Sequence, residues 1–212
     1  MTTLMKYLFM VGIACGLMAC TFGGKPSVMV EQYALEYPSP SIQNIVRIDQ
    51  VIRIERFSVA KIFNNVNMIY RQKPHSYNDY EYHRWYHRWR ANPGDMVGDG
   101  LLRDLRATGI FKSVFSYRDM ENPDLLLKGG VGEFYESDEK EGRKAMLSVN
   151  ITLMDRTQKA LAKQIIFQKN YRYEEPIPEE TVQSFAQGMS RAVEKLSGQV
   201  MADVYEAVKN RK

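Results

Sequence analysis

Cysteine is scarce in this 212-residue chain, which has two, Cys15 and Cys20. Long hydrophobic runs are missing as well. The first, Tyr7 to Leu17, is 11 residues, whereas a bilayer-spanning helix needs about 20. No later run is long enough to span, so the body is expected to be soluble. Charge of one sign is not in excess: 29 basic residues face 25 acidic ones, for a net charge of +4. A nucleic-acid-binding chain concentrates its basic residues in a dense patch, and no nucleic-acid partner is expected here. Assembled catalytic motifs are also lacking. There is no Gly-x-Ser-x-Gly elbow and no His-Glu-x-x-His pair, and no nucleophile stands beside an evident base. The sequence is therefore read as that of a non-enzyme, with no cofactor.

What the chain does have begins at its start. Lys6, the short apolar run and the small residue Ala19 before a cut site are the parts of a secretory signal. Leu17-Met18-Ala19-Cys20 resembles the bacterial lipobox, in which the cysteine thiol takes a diacylglycerol, the preceding peptide bond is cut and the new amine is acylated. The competing reading is an apolar N-terminal helix that happens to contain two cysteines. On the lipobox reading residues 1–19 are the signal peptide, Cys20 is the lipidation site carrying covalent acyl chains such as palmitate, and residues 20–27 are a tether containing Gly23, Gly24 and Pro26. Residues 28–212 form the domain. Cys15 leaves with the signal and acylation occupies Cys20. That excludes a disulfide, thiol catalysis and a cysteine-ligated zinc. Loss of Lys6 takes the net charge to +3, and 193 residues remain, enough for one domain. Each buried CH₂ contributes roughly 0.8 kcal/mol, so two or three acyl chains hold far more firmly than one. Thr21 follows the cysteine, not the aspartate that retains such proteins at the inner membrane, which favours the periplasmic face of the outer membrane. The linker Thr21 to Ser27 reaches at most about 25 Å, so the domain works close to the membrane.

Periodicity sets the expected order of elements. Val28 to Tyr37 reads as a first strand ended by Pro38 and Pro40. Ile45 to Val59 alternates with Val46, Ile48, Ile52 and Ile54 on one face, then changes parity at Phe57 and Val59, which predicts a bulge or break near Glu55-Arg56. Asn67 to Arg71 reads as a short strand and Tyr77 to Arg90 as a long aromatic one. Asn92 as N-cap, Pro93 in the first helical position, Asp95 answering the cap and Gly109 at the C-terminal end delimit a helix. Its buried stripe is Met96, Val97, Leu101 and Leu105. Gly98 and Gly100 are expected to allow close packing on a sheet. Ile110–Tyr117 and Leu125–Tyr135 are expected strands, and Glu136–Arg143 a solvated hairpin turn. Ala145, Leu147, Val149, Ile151 and Leu153 form one face of a half-buried strand, which Leu161, Ile165, Phe167, Tyr171 and Tyr173 match across the turn. After Pro176 and Pro178 a long one-sided helix carries Val182, Phe185, Met189, Val193, Leu196, Val200, Val204 and Val208. The expected class is α+β: a two-layer sandwich of an antiparallel sheet with two main helices packed on it, the strands-then-helix plan occurring twice.

An ordered series of short motifs runs along the chain: Tyr33-Ala34-Leu35, Ile54-Glu55-Arg56-Phe57, Met68-Ile69-Tyr70-Arg71, Tyr82-His83-Arg84-Trp85, Pro93 to Val97, Leu101 to Leu105 and Gly109-Ile110-Phe111. In this the sequence resembles the ABC-type transport auxiliary lipoproteins, the Pqi type among them, which accompany MCE-type lipid transport systems. The resemblance implies an accessory protein that docks an MCE-domain partner to the outer membrane, with phospholipid as a possible ligand and self-association as a possible state. The alternative is a structural or regulatory envelope lipoprotein supporting cell-wall synthesis or lipopolysaccharide assembly. One departure from the family pattern is the tandem repeat of Tyr-His-Arg-Trp at 82–85 and 86–89. Four added residues preserve which face each side chain takes in a strand.

This doubled segment is the one cluster dense enough to suggest a site. As a strand it puts His83, Trp85, His87 and Trp89 on one face and Tyr82, Arg84, Tyr86 and Arg88 on the other. His83 and His87 would converge on a helix, but in a strand they stand about 13 Å apart, so no metal is expected. Tyr82, Trp85, Tyr86 and Trp89 are the candidate partner surface or groove, because Trp, Tyr and Arg are enriched in interfaces. The plainer reading is core aromatics with arginines reaching to solvent.

Overall fold

A computed structural model describes residues 29–43, 45–79, 81–82, 85–139, 142–209 and 211, with Met29, Glu81, Tyr82, Trp85, Tyr86, Glu139 and Leu161 described by their backbone. In chain order the strands are β1 (Met29–Tyr33), β2 (Ile48–Ile54), β3 (Ser58–Val59), β4 (Ile69–Lys73), β5 (Ser76–Asp79), β6 (Glu81–Tyr82) and β7 (Trp85–Trp89). Helix α1 (Pro93–Thr108) follows, then β8 (Phe111–Ser116), β9 (Leu125–Glu139), β10 (Gly142–Asp155), the short α2 (Leu161–Gln164), β11 (Ile165–Pro176) and the long α3 (Val182–Val208).

Strand β9 organises the larger sheet. On one side it pairs antiparallel with β10, which pairs antiparallel with β11. Along its other side three short strands pair with it in succession, all parallel: β2 at Leu125–Leu127, β3 at Gly130–Val131 and β4 at Glu136–Ser137. Strand β8 closes that side by pairing parallel with β2. The sheet is therefore mixed, not antiparallel as expected. Strands β2, β3, β4 and β8 supply the parallel pairings of this sheet, and β9, β10 and β11 an antiparallel meander. The fold is mixed α+β, with a multi-stranded sheet and three helices among the described residues.

The parity change at Phe57 has a simple cause. From Ile54 to Ser58 the chain advances four residues, while β9 advances three, from Leu127 to Gly130. One surplus residue reverses which face each side chain takes, and Phe57 drops onto Gly129. A Cβ at Gly129 would lie 2.3 Å from the Phe57 ring, which is why no side chain is carried there.

The long aromatic strand expected over Tyr77 to Arg90 is instead broken. β5 folds back on β4, while β6 and β7 form a hairpin in a second, three-stranded sheet ordered β1-β7-β6. Strand β1 runs parallel to β7, with Met29 opposite Trp85 and Tyr33 opposite Trp89. It is also shorter than expected, ending at Tyr33. The hairpin expected at Glu136–Arg143 is displaced outward: Glu136 and Ser137 are buried in β9, and Glu136 is paired with Arg143 at 3.3 Å. Leu161 belongs to α2 and not to the strand, so the partner of β10 begins at Ile165.

Helix α1 follows its sequence signals closely. Asn92 caps it by accepting from the Gly94 amide at 3.0 Å, Pro93 starts it, and Gly109 ends it at φ 65°. Asp95 does not answer the cap. It takes a two-pronged ion pair from Arg56, at 2.8 and 2.9 Å. Val97, Leu101 and Leu105 are buried and Met96 half-buried. In α3, Thr181 accepts from the Ser184 amide at 3.1 Å, and the stripe from Phe185 to Val208 is buried on β10 and β11. Helix α1 packs on β8 and β9 and touches α3.

Candidate functional site

Cys20, the expected lipidation site, lies with the rest of residues 1–28 outside the described residues. What the structure shows is how the chain leaving that end is tied into the domain. Tyr33, Glu31 and His87 meet across the β1–β7 pair: Tyr33 donates to Glu31 at 2.7 Å, and His87 Nδ1 lies 3.3 Å from the same carboxylate. Burial, and then the Glu31 carboxylate, push the Tyr33 hydroxyl up to about 12.

Beyond Tyr33 the chain becomes a strap laid along α3. The Glu36 amide donates to Ser190 Oγ at 3.1 Å, Pro40 packs over Gly198, and the Val46 amide donates to the Tyr205 hydroxyl at 2.9 Å. Ser190 to Tyr205 is about 22 Å of helix at 1.5 Å per residue, so the strap follows more than half of α3. Leu35, Tyr37, Ile42 and Ile45 pack against the core from this segment.

A buried carboxylate holds the centre of the strap. Asp104 of α1 is fully buried and accepts from Tyr37 at 3.0 Å, Ser39 at 2.7 Å, Ser197 of α3 at 2.6 Å and Arg103 at 2.8 Å. One side chain thus joins the strap and both main helices. Burying a charge costs several kcal/mol unless it is hydrogen-bonded and paired, and here both conditions are met. The Arg103 guanidinium lies over the Tyr37 ring at 4.3 Å. Burial and the Asp104 charge raise the Tyr37 pKa above the ordinary tyrosine range, so it stays a donor. Gly100 admits this ring, since a Cβ there would lie 2.6 Å from the Tyr37 hydroxyl. Its close contact is therefore with the strap and not with the sheet. The helix glycine closest to the sheet is Gly94, whose Cβ would lie 2.7 Å from the Phe57 carbonyl and from Val59.

Sequence reasoning missed this node. Its signal was Asp104 itself, three residues after Leu101 and seven after Val97, an acid standing on the apolar stripe of α1. The matching signal on α3 was the serines at 190 and 197, which mark a second buried face beside the aliphatic one.

The four aromatic candidates separate. Trp89 is 1% exposed and sits edge-on to Phe134 and Phe185, at 5.1 and 5.5 Å between ring centres. It is a core residue and cannot line a partner surface. The backbone of Tyr82, Trp85 and Tyr86 lies in the small sheet, and their side chains, like His83 and Arg84, fall outside the described part of the structure. Next to the strap, Leu35, Tyr37, Arg90, Met96, Asp99 and Arg103 border an open cleft of about 430 Å³. Among the described residues no helix is long and apolar enough to cross a membrane.

The mixed α+β fold is already represented among solved structures. A Xanthomonas campestris protein of family DUF330 superposes with a TM-score of 0.73 at 14% identity, covering 84% of this chain and 97% of that one. An uncharacterised protein superposes with a TM-score of 0.64 at 10% identity, covering 84% and 99%. These likenesses establish the fold. No curated protein matches the sequence significantly. The family model for the ABC-type transport auxiliary lipoprotein component matches residues 33–201. The chain belongs to that family.

Proposed function

We propose that this chain is the acyl-anchored accessory protein of an MCE-type lipid transport system, and that it holds the outer end of the MCE assembly at the periplasmic face of the outer membrane. Its role is that of a non-catalytic adaptor. The observation that carries this reading is the family match over residues 33–201, which begins at the last residue of β1 and takes in the strap, Asp104 and most of α3. Cys20 receives the acyl chains, and the strap that follows β1 fastens the N-terminal segment to both main helices. The surfaces available to a protein partner include the exposed polar ridge of α3, at Gln183, Gln187, Lys195, Gln199 and Glu206, and the two ends of the larger sheet's main path. Among the described strands β8 and β11 each pair on one side only, and the same edges are available for self-association.

In-cell crosslinking of the lipidated protein, followed by mass spectrometry of captured proteins and lipids, tests the proposal. Recovery of an MCE-domain protein, with or without phospholipid, is expected. Recovery of wall-synthesis or lipopolysaccharide-assembly proteins alone would replace the transport reading with the envelope-assembly one.

A further inference from the structure

One end of the domain is basic. The residues entering β2 and β8, the turn between β10 and β11, and the last residues of α3 meet there. The Arg47 guanidinium donates to the Lys112 carbonyl at 3.4 Å, and Arg47, Lys209 and Arg211 border one cleft. Burial pushes the Asp155 carboxyl up, but hydrogen bonds from Thr157 and Gln158, and the charge of Arg211, hold it below the ordinary 3.8. Arg211 therefore also faces the turn, along which Arg156, Lys159 and Lys163 are exposed. Arg47, Lys112, Lys209 and Arg211 are exposed as well. Among the described residues of these segments, two acids are exposed against these seven cations. Asp49 pairs with Lys112 at 3.2 Å, and Glu206 with Lys209 at 2.6 Å. Two bare aliphatic side chains lie among the charges: Val46 at 73% exposure beside the cleft, and Ile165 at 50% where β11 begins. The cleft, about 330 Å³, lies between residues 46–50 and the end of α3.

Exposed apolar side chains ringed by charge of one sign mark a contact surface, and its partner carries the opposite sign. An acidic protein segment fits this end better than a membrane does. A headgroup layer is flat and is met by Trp and Tyr, whereas this end is recessed and exposes no Trp, Tyr or Phe among the described residues of these segments. Gln50 also lines the cleft, and its Oε1 is withdrawn from water and accepts no hydrogen bond among the described residues. A peptide brings backbone N–H donors for such an acceptor along with its carboxylates. Relying on the adaptor reading above, we propose that this basic end docks an acidic segment of the MCE-domain partner. Carboxylates of that segment meet Arg47, Lys209 and Arg211 around the cleft, and its apolar residues meet Val46 and Ile165. The strap finishes here, with the Val46 amide held by Tyr205 at 2.9 Å. Strand β1 ends at the opposite end of α3: Tyr33 is opposite Trp89, whose ring touches Phe185. From Phe185 to Tyr205 is about 30 Å of helix at 1.5 Å per residue. The chain thus enters the domain at one end of α3 and meets its partner at the other.

Site-specific crosslinking in cells tests the docking end. A photo-crosslinking phenylalanine analogue replaces Val46, Lys163 or, on the exposed ridge of α3, Gln187 in turn in the full-length chain. Capture of an MCE-domain protein from positions 46 and 163, with little from 187, is expected. Arg47→Gln with Lys209→Gln should lose most of that capture, and Arg47→Lys with Lys209→Arg should retain it. Circular dichroism and thermal unfolding check that the variants fold, and the contrast between positions needs no charge variant. Capture from 187 but not from 46 or 163 would overturn the proposal, as would capture undiminished by the neutral pair. Recovery at 46 and 163 of phospholipid alone, or of a second copy of this chain alone, would replace the acidic partner with a membrane or a self-contact. An MCE-domain protein caught only through other surfaces would overturn this contact and leave the adaptor reading standing. Its absence from every crosslink of the native chain would overturn that reading too.

Discussion

Asp104 is the residue on which the attachment of the N-terminal segment turns. Replacing it with alanine leaves the hydroxyls of Tyr37, Ser39 and Ser197 facing one another without their acceptor. Losing a buried charged partner of this kind costs about 3 kcal/mol. Asp104→Ala is therefore expected to lower the unfolding free energy by about that amount in a denaturant titration, while Tyr37→Phe, which removes one donor, costs about 1 kcal/mol. Asp203 supplies a pH dependence. Burial pushes its carboxyl up, but hydrogen bonds from Lys169, Tyr171 and Gln199 outweigh that and hold it below the ordinary 3.8. A carboxyl depressed in the folded state stabilises the protein above its unfolded pKa, and that stability is lost as pH falls through the folded value. The melting temperature should therefore drop below about pH 4, and Asp203→Asn should shrink the drop. An unchanged acid profile in that variant would contradict the assignment.

At the scale of elements, packing at two glycines and along one helix face makes the sharpest demands. Gly129→Ala places a Cβ 2.3 Å from the Phe57 ring, and overpacking a filled site costs typically 1–3 kcal/mol, so a loss of about 2 kcal/mol is expected by thermal or chemical unfolding. Val193→Asp with Val200→Asp puts two unpaired carboxylates on the face of α3 that lies at 1% and 0% exposure. No folded protein is expected, and a soluble, cooperatively melting double variant would show the face to be misassigned. Helix α1 was legible because its ends are set by local chemistry: an asparagine cap, a proline and a glycine in the left-handed region. The aromatic stretch Tyr77 to Arg90 was not legible. Period-two alternation is the same whether a segment is one strand or three, and only contacts with β4 and β1 divide it. The same limit applied to Glu136, which by composition belongs in a charged turn but is buried because Arg143 pairs with it across the hairpin.

For the whole molecule, the strap ties the segment after β1 to both main helices. Cys20→Ala is expected to leave the precursor uncut and unlipidated, and fractionation should find it absent from the outer membrane. Normal outer-membrane fractionation of that variant would sink the lipoprotein assignment. Loosening the strap with Asp104→Ala, in a protein still acylated, should by contrast leave membrane attachment intact while lowering the yield of crosslinked partner. Comparing the two variants separates attachment from orientation.

The sequence by itself determined what depends on neighbours along the chain: the ends of α1, the apolar stripe of α3, the alternation of β10, and a family membership carried by ordered motifs. Tertiary structure alone decided the direction of strand pairing, because parallel and antiparallel partners present the same alternation to a reader of sequence. It also decided the roles of the aromatic repeat, sending Trp89 into the core beside Phe134 while its tandem counterpart Trp85 pairs with the first residue of β1. The Asp104 node belongs there too. Residues 37, 39, 104 and 197 are distant in sequence, and only the path of the strap across two helices brings their polar atoms within hydrogen-bonding reach.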